Sequence, residues 1–231
     1  GLLYPEGNPL KKGEIEMKYM TAREEDILTN QNLIENGTVI DKLLQSLIVT
    51  PIKYKDLLIG DKNAVLVAAR ILGYGKDYEF EYDGEKIEVD LTTINDKPLD
   101  ESIIKENKNE FTFTLPKSEV GVTFKFLSHK DEKAIDSEIK GLRKINKNSS
   151  TEISTRLKHL ITSINGDYEK STIREFIDTK LLAIDSRALR NHITDIQPDT
   201  DLNFEHEDRN GNIIKLPIPI GVSFFWPDAR L

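Results

Sequence analysis

The chain has 231 residues, 38% of them hydrophobic and 31% charged, and no cysteine. That length supports one large domain or two small ones with a real core, and the missing cysteines exclude disulfides and thiolate metal sites. With 32 basic against 40 acidic residues the net charge is −8, which repels a phosphate backbone and weighs against nucleic acid as the main partner. No apolar run reaches the roughly 20 residues that a membrane helix needs. Ala64 to Leu72 (AVLVAARIL) comes nearest, and it carries Arg70. The densest basic stretch, Lys140 to Lys147, falls at an expected helix end, where cations suit the helix dipole.

Gly1 to Lys12 is rich in Gly, Pro and Asn and reads as an extended arm bearing Leu2, Leu3, Tyr4 and Pro5. Gly13 to Met20 (GEIEMKYM) alternates as a strand does. Thr21-Ala22-Arg23-Glu24 has the spacing of a capping box, with acidic residues in the first turn. That helix is expected to run to about Asn36, where Gly37 closes it and Thr38 opens the next, Thr38 to Ile48, stopped by Pro51. Asp56 to Leu72 reads as helical in part from Asp61, ended by Gly73-Tyr74-Gly75. Tyr78 to Leu91 is a hairpin on Asp83-Gly84, a favoured two-residue turn. Glu110 to Leu115 and Val120 to Leu127 form a second strand pair, and Ser128 or Asp131 caps a helix to about Ile145. Asn146 to Thr151 (NKNSST) is the linker candidate. Helical patterns follow at Thr151 to Ile164, Ser171 to Leu182 and Ser186 to Ile196, ended by Pro198. The closing strands run from Leu202 to Trp226.

Helices and strands come in blocks, so the fold class is α+β, with antiparallel hairpins and helical blocks, and not a wound parallel sheet. The division expected is an N-terminal arm and strand (1–20), a first α+β region (21–145) with hairpins at 78–91 and 110–127, and a helical region (146–231) with a C-terminal hairpin at 202–226.

Little in the chain points to catalysis. Gly60 to Leu66 departs from a phosphate loop because Asp61 separates Gly60 from Lys62. None of His129, His159, His192 and His206 has a metal-ligand partner in the HExxH manner, His129-Lys130-Asp131-Glu132 at a helix start reads as capping, and there is no serine elbow or cysteine nucleophile. Asp178 and Asp185 read as a cap and a surface charge. The two X-Gly hairpins share a pattern: Phe80-Glu81-Tyr82 precedes Asp83-Gly84, and Phe204-Glu205-His206 precedes Asn210-Gly211. They read as degenerate zinc-ribbon-like knuckles without metal, with Tyr82, His206 and Arg209 unable to rebuild a four-ligand site. Two unrelated hairpins with similar turns is the other reading. No cofactor and no metal are expected.

At the C-terminus, Phe224, Phe225 and Trp226 stand in a row. A strand would send Phe224 and Trp226 to one face and Phe225 to the other. The surplus face needs cover from this chain or from another, since aromatic side chains serve both cores and interfaces. Leu2, Leu3, Tyr4 and Pro5 raise the same question at the other end.

Several blocks carry a resemblance. Gly1 to Leu44 resembles the start of the baseplate hub and baseplate hub assembly proteins of T4-like contractile-tailed phages. The matching features are the opening Gly1-Leu2-Leu3-Tyr4-Pro5, the Gly13 to Met17 strand and the Met20 to Leu28 helix start. Leu181 to Ile193 and Leu216 to Ala229 are similar to the family as well. Members of the family carry Cys-x-x-Cys knuckles at the two hairpins, and this sequence departs there, which puts a zinc requirement in doubt. The resemblance implies a non-enzymatic structural or assembly protein of the tail baseplate, assembled in the host cytoplasm. Its partners would be other phage tail and baseplate hub proteins, with no membrane and no nucleic acid. Leu2, Leu3, Tyr4, Pro5, Phe224, Phe225 and Trp226 are the expected partner-binding residues. A transient hub assembly chaperone absent from the mature virion is the alternative role, and a zinc-ribbon-derived nucleic-acid module is a more distant one.

Overall fold

The computed structural model describes residues 1–97, 100–104, 108–145, 151–208 and 211–225. The linker residues Asn146 to Ser150, together with Arg209, Asn210 and Trp226, lie outside them. In chain order the helices are α1 (Ala22–Leu28), α2 (Gln31–Glu35), α3 (Val39–Leu47), α4 (Ile59–Tyr74), α5 (His129–Ile145), α6 (Glu152–Leu160), α7 (Lys170–Thr179) and α8 (Ala183–Ile196). The strands are β1 (Asp77–Tyr82), β2 (Glu85–Asp90), β3 (Asp96–Lys97), β4 (Phe111–Thr114), β5 (Gly121–Phe124), β6 (Ile161–Ile164), β7 (Asp199–Thr200), β8 (Asn203–Glu207) and β9 (Ile213–Pro217). Strand pairs among the described residues are antiparallel, so the molecule is α+β.

Two compact units share the chain. One comprises Gly1–Glu14, Ile52–Ile59 and Pro98–Pro198; the other comprises Ile15–Pro51, Gly60–Lys97 and Asp199–Leu231. Compactness therefore divides the chain differently from the sequential division at residues 20 and 145: each core is left and re-entered.

The first unit is built on the sheet β4-β5-β6. The third strand departs from the helical pattern of Thr151 to Ile164. That helix, α6, stops at Leu160, and Ile161-Thr162-Ser163-Ile164 pairs with β5, Val122 opposite Ile164. β-Branched Ile161, Thr162 and Ile164 suit a pleated strand better than a helix end. Ser163 Oγ donates to Thr123 Oγ1 at 2.7 Å in the buried interior of the pair. Ser128 and Asp131 act together at the start of α5: the Asp131 carboxylate accepts the Ser128 N–H at 2.9 Å and its hydroxyl at 2.7 Å. Arg156 of α6 holds Glu132 of α5 by two hydrogen bonds, at 2.5 and 3.2 Å.

Asp185 corrects the expectation of a cap and a surface charge. It is fully buried in the first turn of α8 and accepts the backbone N–H groups of Lys117 and Ser118 at 2.8 and 3.0 Å. Burial would raise its carboxyl, but those bonds outweigh it and hold the group below the ordinary carboxylate range. Asp178, by contrast, is exposed and pairs with Lys158 at 2.6 Å.

In the second unit α1 and α2 replace the single helix expected to Asn36. The break falls at Thr29-Asn30, where the Asn30 side chain accepts the Leu33 N–H at 3.2 Å and caps α2. An asparagine at that place competes with helix continuation by offering its own oxygen to the backbone. Met17 forms an isolated bridge to Ile48, so Gly13 to Met20 is extended chain beside the end of α3 rather than a full strand. α3 buries Leu43, Leu44 and Leu47 completely, each contributing about 1.5–3 kcal/mol. α4 ends at Tyr74, with Gly75 in the left-handed conformation (φ 85°) and its N–H on the Ile71 carbonyl at 3.0 Å. Gly73 lies inside the helix, not at its stop; a Cβ there would meet the Met20 Cε at 2.9 Å. The short pair β3-β7, Asp96 opposite Thr200, was not expected.

Candidate functional site

The N-terminal arm in the first unit is not extended. Turns fold it back, with Tyr4 N–H on the Gly1 carbonyl and a 3-10 turn, Pro9–Lys12, capped by the Asn8 side chain on the Leu10 N–H at 3.0 Å. Leu3, Tyr4 and Leu10 are buried. The Leu58 backbone N–H donates to the Tyr4 hydroxyl at 2.9 Å in the interior. Leu2 keeps 39% of its surface and Pro5 is exposed, so the two expected side chains that remain accessible in the arm are these. Leu3 and Tyr4 hold the arm down.

The second unit brings the two X-Gly hairpins together. In β1 alternate residues Tyr78, Phe80 and Tyr82 share one face, opposite Val89 and Ile87 of β2. In β8 and β9 the corresponding face carries Phe204 and His206, opposite Leu216 and Ile214. These faces meet edge to face: Phe80 and Phe204 lie 5.2 Å apart between ring centres, and Tyr82 and His206 lie 6.0 Å apart. Tyr82 and His206, two of the residues singled out at the hairpin tips, are therefore in mutual contact. The seam consists of rings, so knuckle geometry is not what these hairpins show. Among the described residues no group of three or more His, Asp or Glu side chains is placed to hold a metal ion.

The seam continues to the C-terminus. Tyr78 stacks on Phe80 at 5.3 Å and meets Phe224 edge-on at 4.8 Å, and Phe224 meets Phe225 at 5.2 Å. The Tyr78 hydroxyl donates to the Pro219 carbonyl at 3.0 Å. Val222 to Phe225 form a 3-10 turn instead of the expected strand, and Phe224 and Phe225 are both fully buried. With three residues per turn, successive side chains do not alternate between opposite faces, which removes the surplus aromatic face that a strand would have created. Trp226 lies outside the described residues.

Sequence reasoning missed Arg70 as a working residue of this unit. It is 2% exposed, and its guanidinium donates to the carbonyls of Gly75 and Asp77 at 3.0 and 3.1 Å. It also lies over the rings of Tyr74 and Tyr78, at 5.5 and 5.7 Å. Burial lowers its pKa, while the Tyr78, Tyr74 and Asp77 charges oppose the fall. Arg70 thus links the end of α4 to the foot of β1. Its only advance signal was a charge inside an otherwise apolar run. The outward faces of both hairpins are charged. Lys86 pairs with Glu79 at 2.6 Å and Lys215 with Asp201 at 2.5 Å. Tyr82 and Ile213 keep 39% and 73% of their surface near the tips.

Taken together, the geometry offers anchored ends and an aromatic seam inside, with accessible apolar groups at the arm and the hairpin tips. No helix among the described residues is long and apolar enough to cross a membrane. No curated protein and no solved structure is matched by the chain. The family model described as T4 bacteriophage base plate protein matches residues 6–206, which leaves Leu2 to Pro5 and Phe224 to Trp226 outside the match but takes in segments of both units. On a match of that extent, the chain belongs to the T4 bacteriophage base plate protein family.

Proposed function

We propose that this base plate protein is a hub subunit or a hub assembly protein, acting through protein–protein interfaces and not through catalysis. The single observation that carries the reading is the family match, which spans segments of both compact units and so applies to the chain as a whole. The tail baseplate is then its place of action, and other hub and tail proteins are its partners.

Docking is assigned to the ends of the chain. In the arm, Leu2 and Pro5 are the outward contacts, while Leu3 and Tyr4 fix their position. At the other end Phe224 and Phe225 are buried and anchor the chain, so Trp226, expected from the sequence as a contact, is the docking residue proposed there. Interfaces of this kind bury about 800 Å² per partner, with apolar anchors inside a polar rim. The test is co-purification of Leu2→Asp with the hub proteins of its own phage. The variant is expected to lose about tenfold or more of its hub association, with an unchanged melting temperature because Leu2 is not in the core. Normal hub association of Leu2→Asp would overturn the docking role of the arm. Failure of the unaltered chain to join any hub complex would overturn the baseplate reading itself. Mass spectrometry of purified particles then separates a resident subunit from an assembly protein that leaves.

A further inference from the structure

A surface feature of the first unit is distinct from both chain ends. β6, α6, α7 and the start of α5 enclose a cavity of about 320 Å³ whose wall carries Lys125, Lys158, His159, Lys170 and Arg174 against one carboxylate, Asp131. In a chain of net charge −8 this is a local reversal of sign. The partners sort these cations. Lys125 holds Asp131 at 2.7 Å, Lys158 holds Asp178 at 2.6 Å, and His159 Nε2 lies 3.0 Å from Glu138. Burial would raise the Asp131 carboxyl, but hydrogen bonds from Lys125 and Ser128 keep it low, so this pair is already charged and committed.

Lys170 and Arg174 differ. They stand one turn apart on α7, both exposed, and the ion pairs among the described residues include neither. Beside these charges the cavity has an apolar floor, buried Ile161 and Ile173, and an exposed ring, Tyr168. The Thr162 hydroxyl at the same wall is shielded from solvent and lacks a hydrogen-bond partner.

Charge alone would suit a free inorganic anion. An apolar floor and an aromatic ring next to two uncommitted cations call for carboxylates carried on a carbon framework. We propose that this groove docks an acidic peptide segment of another protein. Carboxylates of that segment lie on Lys170 and Arg174, and an apolar side chain rests on Ile161, Ile173 and Tyr168. The assignment goes beyond docking by the chain ends and stands independently of which tail protein the ends engage.

The test is fluorescence anisotropy on the full chain with a fluorescein-labelled peptide of glutamate and leucine. Binding is expected to weaken with salt. It is also expected to fall about tenfold or more in Lys170→Glu/Arg174→Glu, and to persist in the charge-matched control Lys140→Glu/Lys144→Glu on α5. Circular dichroism reports whether the chains are folded, and the milder Lys170→Gln/Arg174→Gln replaces the reversal if that one unfolds. Equal affinity for a glutamine–leucine peptide overturns the proposal, as does absence of binding. Displacement of the peptide by equimolar inorganic phosphate would reassign the groove to small anions. Tighter, groove-dependent binding of a single-stranded oligonucleotide would reassign it to nucleic acid. Self-association abolished by Lys170→Glu/Arg174→Glu would reassign it to a second copy of the chain.

Discussion

Glu24 has 1% of its surface exposed, yet it is charged. Its carboxylate accepts the Thr21 hydroxyl at 2.6 Å and the Thr21 N–H at 3.0 Å, and it pairs with Lys18 at 2.9 Å. Hydrogen bonds from Thr21 first, then Lys18, lower its pKa from 4.5 to about 2. A depressed folded-state pKa means that the charged form is what the fold stabilises. The contribution is therefore full above pH 4.5 and is lost as pH falls from there toward 2. Glu24→Gln is expected to cost about 1–2 kcal/mol at pH 7. The gap between wild type and variant in urea titrations should close across that acid window. A gap independent of pH would show that shape and not charge matters here. The capping box was legible because its four residues are adjacent in sequence. Asp185 and Arg70 were not, because their partners, the Lys117 and Ser118 amides and the Gly75 and Asp77 carbonyls, become neighbours through the turns and packing of the folded chain.

Among the elements, the hairpin on Asp83-Gly84 is the plainest case of local chemistry deciding structure. Tyr82 lies opposite Glu85, and the two turn residues have φ 49° and 76°, as a two-residue turn of this hand requires. β6 shows the opposite. Leu157, Leu160, Ile161 and Ile164 fit a helical period as well as a strand following a helix, and pairing with β5 decides between them. The arm departs from its reading for a related reason: its Gly, Pro and Asn content reads as extended chain, and nothing local reports that it turns back or that Leu3 and Tyr4 reach the core. Tyr4→Phe tests that seating. It keeps the ring and removes the acceptor for the buried Leu58 N–H, a loss of about 1–3 kcal/mol. The urea midpoint should fall with no change in the slope of the transition. An unchanged midpoint would mean that the arm is held by its apolar contacts alone.

At the scale of the molecule, the chain's order and its compactness disagree. A sequential reading places a boundary near residues 146–150. The first unit, however, takes β4, β5 and α5 from before that point and α6, β6, α7 and α8 from after it, and β5 pairs directly with β6. The second unit takes α3, β1 and β2 from before and β8 and β9 from after, joined across the ring contacts of Phe80 with Phe204 and Tyr78 with Phe224. The resemblance of both termini to one family said nothing of this, because periodicity and motif report neighbours in sequence, while the long-range pairs depend on which apolar faces find each other. The consequence is specific. A chain ended after Ile145 strips β6 from its sheet, leaves buried Phe124 and Val122 without the strand that covers their edge, and exposes Tyr78 by removing Phe224. Neither core is then closed. Residues 1–145 alone are expected to melt without a cooperative transition and to bind a hydrophobic dye, as chains with collapsed but unpacked interiors do. Co-expression with residues 151–231 is expected to restore a sharp transition by supplying the missing strand and rings. A cooperative melt from residues 1–145 alone would mean that the units can close without their C-terminal halves, and the interleaved division would have to be abandoned.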